Sequence, residues 1–121
     1  MSNPGKHDLT IQRNSTVPLQ ITFKAGGVVT DITGYTFAAS VFSVDGSKNF
    51  ADFAVTYTNR SQGIVTFKLT PAQTATFTSN KLVYDVKYKQ PNNDEFYLLE
   101  GNITVSDGHT TISWQLLMYL L

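Results

Sequence analysis

The sequence predicts an all-β domain, an antiparallel β-sandwich of about seven short strands with one short helix near Pro71–Phe77. Short runs in which apolar and polar side chains alternate recur along the chain, and turn residues separate them at regular intervals. The 121 residues suit one domain of this kind. Because the chain contains no cysteine, its stability must come from packing and not from disulfides.

The first half of the chain contains four strand-like runs. Alternation is clearest in the second run, where Leu19, Ile21 and Phe23 share one face. Pro18 lies in the same run and cannot donate a ladder hydrogen bond, so we expect it at a sheet edge or a strand start. The predicted strands are Asp8–Gln12, Val17–Lys24, Tyr35–Val44 and Phe50–Thr58, with turns at Ala25–Gly27 and Asp31–Gly34.

The second half begins with a strand that leads into the predicted helix. Thr70 can cap the helix, Pro71 suits its first position, and Gln73 completes a capping box. Lys81–Gln90 and Glu95–Ser106 follow as strands. The side chains predicted to face the core in this half are Val65, Phe67, Leu69, Leu82, Tyr84, Val86, Tyr88, Tyr97, Leu99, Ile103 and Val105.

These patterns divide the chain into three parts: an N-terminal arm over 1–7, the sandwich over 8–106, and an apolar C-terminal tail over 107–121. No apolar stretch resembles a signal peptide. The longest apolar run, Leu116–Leu121, is far too short to span a bilayer, so we expect no membrane partner.

Charge is scarce and balanced. Charged residues make up 15% of the chain, and nine basic residues match nine acidic ones. Without a basic stripe to follow phosphates, we expect no nucleic-acid partner. A neutral, charge-poor surface resists association weakly and suits a protein that works inside an assembly.

The sequence shows no convergent set of catalytic residues. His7 and His109 lie near opposite ends of the chain and lack a metal-ligand spacing. Asp85 and Glu100 fall at outward positions on neighbouring strands, where a cross-strand partner such as Lys87 is the simplest interpretation. We therefore expect no enzymatic activity, no metal and no cofactor.

Two groups of apolar residues are candidates for an interaction surface. Val83, Phe96 and Leu98 have the outward parity of their strands, which predicts an exposed apolar patch unless both faces of these strands are buried. The tail has no charged residue from His109 to Leu121, and its pattern fits a strand or a helix. We interpret the tail as an assembly element, with candidate contact residues Ile112, Trp114, Leu116, Leu117, Met118, Tyr119 and Leu120.

An ordered series of motifs between about residues 8 and 106 resembles a known family. The motifs are Asp8–Ile11 (DLTI), Leu19–Phe23 (LQITF), Asp31–Thr36 (DITGYT), Gly63–Thr74 (GIVTFKLTPAQT), Leu82–Val86 (LVYDV) and Leu99–Val105 (LEGNITV). They resemble the small immunoglobulin-like domains of tailed-bacteriophage virion proteins, which occur at the N-terminal ends of baseplate and fibre-attachment proteins. The tail from Thr110 onward has no counterpart in that family.

This resemblance implies an immunoglobulin-like sandwich in a bacteriophage virion structural protein. It further implies an assembly or adaptor module of the tail, baseplate or fibre attachment, located in the virion after synthesis in the host cytoplasm. The expected partners are other virion proteins, with several copies or a homo-oligomer. A head decoration or neck protein and a host-surface carbohydrate-binding module, for which Tyr57, Tyr88 and Tyr97 are the candidate aromatic residues, are the alternatives.

Overall fold

The computed structural model describes residues 4–107 and confirms the all-β sandwich predicted from the sequence. A 3-10 turn covers Arg60–Gln62, and the helix α1 covers Pro71–Thr74. The strands are β1 Gly5–Lys6, β2 Leu9–Gln12, β3 Val17–Thr22, β4 Lys24–Ala25, β5 Val28–Val29, β6 Thr36–Ser43, β7 Asn49–Asp52, β8 Ala54–Asn59, β9 Ile64–Leu69, β10 Lys81–Lys89 and β11 Glu95–Ser106.

Two main sheets of unequal width form the sandwich. The six-stranded sheet has the order β1-β11-β10-β6-β7, and β2 also pairs with β11. The three-stranded sheet has the order β3-β9-β8, and β4 with β5 forms a separate hairpin. From β6 onward the chain therefore changes sheet after every second strand: β6 and β7 lie in the large sheet, β8 and β9 in the small one, and β10 and β11 in the large one again.

The core lies between the inner faces of the two sheets. Val65, Phe67 and Leu69 on β9 are fully buried, as are Val41 on β6 and Val86 on β10. The inward positions predicted from alternation are confirmed along these strands. Aromatic rings fill much of the interior, with the Phe37 and Phe67 centroids 6.4 Å apart in an edge-to-face arrangement.

The helix α1 starts as the sequence predicts. The Thr70 side chain accepts a hydrogen bond from the Gln73 amide at 3.2 Å, and the Gln73 side chain accepts one from the Thr70 amide at 2.9 Å. This reciprocal pair is the capping box. The helix ends at Thr74, earlier than the predicted Phe77. Neither α1 nor any other helix within residues 4–107 is long and apolar enough to cross a membrane.

The buried side chain of Thr74 fastens α1 to the connection between β2 and β3. Its hydroxyl accepts a hydrogen bond from the Ser15 amide at 3.1 Å and donates one to the Ser15 carbonyl at 2.9 Å. Thr74 is the one polar residue among the fully buried side chains of the described range. The hydroxyl therefore satisfies backbone groups that no strand partner reaches.

The segment from Gly5 onward is part of the sandwich, so the sheet begins before the predicted boundary at Asp8. β1 and β2 both run parallel to β11. Between them, the His7 amide donates to the Glu100 carbonyl at 3.0 Å, and the Tyr84 hydroxyl donates to the His7 carbonyl at 2.5 Å. The backbone lies so close to β11 here that a β-carbon on Gly101 would sit 1.9 Å from the His7 oxygen.

Arg13 holds three connections together at one end of the sandwich. Its guanidinium donates to the Phe77 carbonyl at 2.5 Å and to the Asn80 side chain at 3.0 Å, and it forms an ion pair with Asp107. Its backbone amide also donates to the Ser106 carbonyl at 3.0 Å. The end of β11 therefore lies beside the connection that leads into β3.

Candidate functional site

The outer face of the six-stranded sheet carries a shallow, polar depression of about 270 Å³. It forms where outward side chains of β10 and β11 meet the N-terminal segment, which runs along β11 and passes close to Gly101. Its lining combines both charge signs with a single aliphatic side chain: Lys6, Asp8, Val83, Tyr84, Asp85, Glu100, Gly101 and Asn102.

Two carboxylates face each other in this depression. Asp85 and Glu100 are direct cross-strand partners in the β10–β11 register. Partial burial raises the pKa of Asp85, the negative charge of Glu100 raises it further, and Lys87 acts in the opposite direction. The Asp85 carboxyl therefore holds its proton more tightly than an exposed aspartate does.

The predicted pairing of these carboxylates with Lys87 is wrong. The Lys87 ammonium lies 3.0 Å from the Glu95 carboxylate, on the other side of the register shift in β11. Glu100 instead forms an ion pair with Lys6, which the parallel pairing of β1 with β11 brings to it. No strand-like alternation surrounds Lys6 in the sequence, so this contact was not predicted.

Tyr97 is on the outer face, and its predicted inward orientation is wrong. The pairing of β10 with β11 shifts register between Val86 and Lys87, so Tyr97 lies opposite Lys87. Its side chain is 52% exposed, and the Lys87 ammonium lies 5.2 Å from its ring centroid. An exposed aromatic ring beside polar groups can stack on a planar or apolar ligand surface.

Because of the same register shift, Phe96 and Leu98 do not form the exposed apolar patch that the sequence predicts. Phe96 faces Tyr88 across the strands, with ring centroids 5.6 Å apart, and both Phe96 and Leu98 are half-buried. Leu98 packs against the core. Val83 alone keeps the outward orientation, half-buried in the wall of the depression. The unbroken run Phe96–Leu99 was the available signal, because four consecutive apolar residues do not fit strict alternation.

The remaining predicted interface residues lie outside the described residues. They are Ile112, Trp114, Leu116, Leu117, Met118, Tyr119 and Leu120. Their assignment to an interface stays a prediction. His109, the second histidine of the sequence, lies in the same range.

The β4–β5 hairpin presents apolar side chains that the sequence analysis did not single out. Gly26 and Gly27 turn the hairpin with φ of 58° and 80°, a backbone region that favours glycine. Val28 is 67% exposed and Val29 is 41% exposed. The hairpin is too short to bury its own apolar side chains, so they are available for contact with another molecule.

β3 forms an open edge of the three-stranded sheet. Within the described range it pairs with β9 and with no other strand, because β1 and β2 pair with β11 in the opposite sheet. The Phe23 amide, just beyond β3, donates to the Gly63 carbonyl at 2.7 Å on the β9 side. Amide directions alternate along a strand, so Gln20 and Thr22 direct their amides to the open side.

The polar side chains of the loop between β10 and β11 form hydrogen bonds with one another. The Asp94 amide donates to the Asn92 side chain at 2.9 Å, and the Asn92 amide group donates to the Asp94 carboxylate at 3.1 Å, as in an ordinary turn. Among residues 4–107, no three His, Cys, Asp or Glu side chains are grouped so that they could hold a metal ion.

Comparisons with known proteins add no assignment to this geometry. No protein-family model matches the chain, and no curated protein matches its sequence.

Proposed function

We propose that the chain is a structural protein of a bacteriophage virion, an assembly or adaptor module in the tail, baseplate or fibre attachment. The observation that carries the proposal is the ordered motif series that resembles such domains, together with the sandwich on which those motifs lie. Two of these motifs, Asp31–Thr36 and Gly63–Thr74, contain turns, and each turn has a structural role in the sandwich.

The first of these motifs, Asp31–Thr36, shapes the entry into β6. The Asp31 carboxylate accepts hydrogen bonds from the Thr33 amide at 2.8 Å and from the Thr33 hydroxyl at 2.6 Å. These bonds hold the pKa of Asp31 below its usual value. Gly34 follows with φ of 84°, which completes the turn, and Ile32 is fully buried as its anchor.

The second motif, Gly63–Thr74, begins at a close backbone approach. Gly63 has φ of 72°, and a β-carbon there would lie 2.6 Å from the Thr30 carbonyl. The strand β9 then leads directly to Thr70, the cap of α1. The motif therefore sets the spacing between the centre of the small sheet and the helix at its end.

The surface suits a module that binds other proteins. It is electrically balanced, it exposes Val28 and Val29 on a hairpin, and it has an open strand edge at β3. Exposed apolar side chains and open strand edges are both features through which proteins associate.

The composition of purified particles tests the proposal. Particles released by the phage that carries the gene are purified by density gradient, analysed by quantitative mass spectrometry and labelled with gold-conjugated antibody. We expect a fixed copy number per particle and label on the tail or its end. A particle fraction that lacks the protein, with all of it in the soluble lysate, refutes the proposal, and label on the head favours the decoration or neck alternative.

Tyr97 gives one specific observation for the carbohydrate-binding alternative. Its exposed ring lies opposite Lys87, two residues along β10 from Asp85, and sugar sites combine a stacking ring with hydrogen-bonding groups. A glycan array with the wild type, Tyr97→Ala and the matched aromatic control Tyr57→Phe tests it. Binding lost only in Tyr97→Ala favours this function; absence of binding in all three excludes it for the glycans tested.

A further inference from the structure

We infer that the open edge of β3 is an assembly site that receives the segment 110–121 of a second copy of this chain as an added strand. The inference deepens the proposed function by naming the partner, and it rests on that function only for its place in a virion. Strand addition to an open sheet edge gives affinity through backbone hydrogen bonds and specificity through alternate side chains.

The width of the two sheets shows where a strand is missing. The larger sheet has five positions across, and the smaller sheet has three. The inward side chains of β3, Val17, Leu19 and Ile21, are only half-buried, whereas Val65 and Phe67 on the neighbouring β9 are 0% exposed. A further strand beside β3 would cover this flank of the core.

The other edges of the sandwich are less suited to pairing. β8 has a register shift between Thr56 and Asn59, and such irregularities twist an edge away from a partner. β7 has four residues, and the Gln73 side chain already donates to the Asp52 carbonyl at 2.9 Å. β1 has two residues. β3 offers six residues without a charged side chain, of which Gln20 and Thr22 direct amides to the open side and Pro18 has no amide.

The segment 110–121 has the chemistry of the missing strand. It contains no charged residue, and Ile112, Trp114 and Leu116 alternate with Thr111, Ser113 and Gln115. The apolar set would extend the row formed by Val17, Leu19 and Ile21. Residue 107 lies beside Arg13, close to the start of β3, so donor and acceptor regions share one side of the domain. A twofold pair can therefore exchange both segments through one interface.

The pattern of the segment favours a second copy over insertion into the same chain. From Leu116 to Leu121 every residue is apolar, so a strand formed by these residues would have two apolar faces. Strands with two apolar faces are buried on both sides. The outer face of β3 carries exposed Pro18, Gln20 and Thr22, which indicates that this domain alone leaves that face in water. A second molecule supplies the missing cover.

The experiment uses full chains of 121 residues and measures self-association by analytical ultracentrifugation. Gln20→Pro removes an amide that points to the open side without removing one that pairs with β9. Gln20→Ala is the matched control, because both variants lose the contact of the Gln20 side chain with Thr66. We expect a wild-type and a Gln20→Ala dimer, and a Kd at least about tenfold weaker for Gln20→Pro.

A complementation test separates exchange from insertion into the same chain. The double variant Trp114→Glu with Leu116→Glu keeps the edge but has a charged segment, so we expect it to be monomeric. Its mixture with Gln20→Pro should form a one-to-one heterodimer, because one partner supplies the segment and the other the edge. If Gln20→Pro does not fold, Thr22→Pro replaces it as the edge-blocked variant.

Several results would overturn the inference. A monomeric wild type excludes exchange, and an unweakened Gln20→Pro dimer places the interface elsewhere. A mixture that stays monomeric shows that the segment does not act on a second copy. Each of these results leaves the particle composition unaffected, so the virion proposal is tested independently.

Discussion

The approach of the N-terminal segment to Gly101 leads to a prediction about stability. In Gly101→Ala the new β-carbon would lie 1.9 Å from the His7 carbonyl oxygen and 2.9 Å from the Tyr84 ring, where ordinary contacts begin at 3.4 Å. The backbone of His7 must therefore move by more than an ångström. The His7 oxygen belongs to the backbone, and the new β-carbon is fixed by the backbone of residue 101. A change of side-chain rotamer therefore cannot relieve this contact.

The displacement removes hydrogen bonds around His7. They are the bonds from its amide to Glu100, from Tyr84 to its carbonyl, and from the Asn102 amide to Asp8 at 3.0 Å. Each bond contributes roughly 0.5–1.5 kcal/mol. We therefore expect Gly101→Ala to lower the free energy of unfolding by about 1.5–4.5 kcal/mol.

Urea denaturation and amide hydrogen exchange test this expectation. Gly5→Ala is the matched control in the neighbouring strand β1, because its β-carbon would contact Leu99 at 3.4 Å, an ordinary separation. We expect the control to be close to neutral and Gly101→Ala to lose protection at the His7 amide. Equal stability of the two variants, with His7 still protected, would refute the close approach.

Three further changes test the core, the helix anchor and the acidic pair. Phe67→Ala should cost roughly 3–5 kcal/mol in denaturant titration because Phe67 is 0% exposed, and a loss below about 1 kcal/mol would contradict its burial. Thr74→Val leaves the Ser15 amide unpaired and should cost about 1–3 kcal/mol, whereas the exposed Thr76→Val should cost less; equal losses would contradict the anchor. Asp85 has a raised pKa in the folded state, so its stabilising contribution is present at low pH and is lost as pH rises through that pKa. Asp85→Asn should raise the free energy of unfolding at pH 7 by less than about 1 kcal/mol, with the gain vanishing below about pH 4; a gain that persists at low pH would contradict this cause.

Regular alternation and local capping made much of the fold predictable. β9 is an example, because Val65, Phe67 and Leu69 are separated by polar positions and the pairing of β9 with β3 has no register shift. The start of α1 was predictable because Thr70 and Gln73 interact within a single turn. Signals of this kind depend on neighbours in the sequence, so no tertiary information is needed to interpret them.

Features that depend on distant residues were not predictable. The bulge that turns Tyr97 outward belongs to the pairing of two strands, and the sequence of one strand does not specify where the partner shifts. The contact of Lys6 with Glu100 requires the N-terminal segment to run parallel to β11, and two residues of strand are too short for a periodic signal. The outward positions of Val83, Asp85 and Glu100 were predicted, but the approach of Lys6 and Asp8 that completes the depression was not, for the same reason.

The parallel pairing of β2 with β11 determines how the domain would respond to mechanical tension. A pull on the start of β2 and on the end of β11 draws these strands past each other along their length, since they run in the same direction. The hydrogen bonds between them are roughly perpendicular to the applied force and bear it jointly. They must therefore break together and not one after another. The Arg13–Asp107 ion pair lies at the loaded end. The sandwich is therefore arranged to transmit force between its ends.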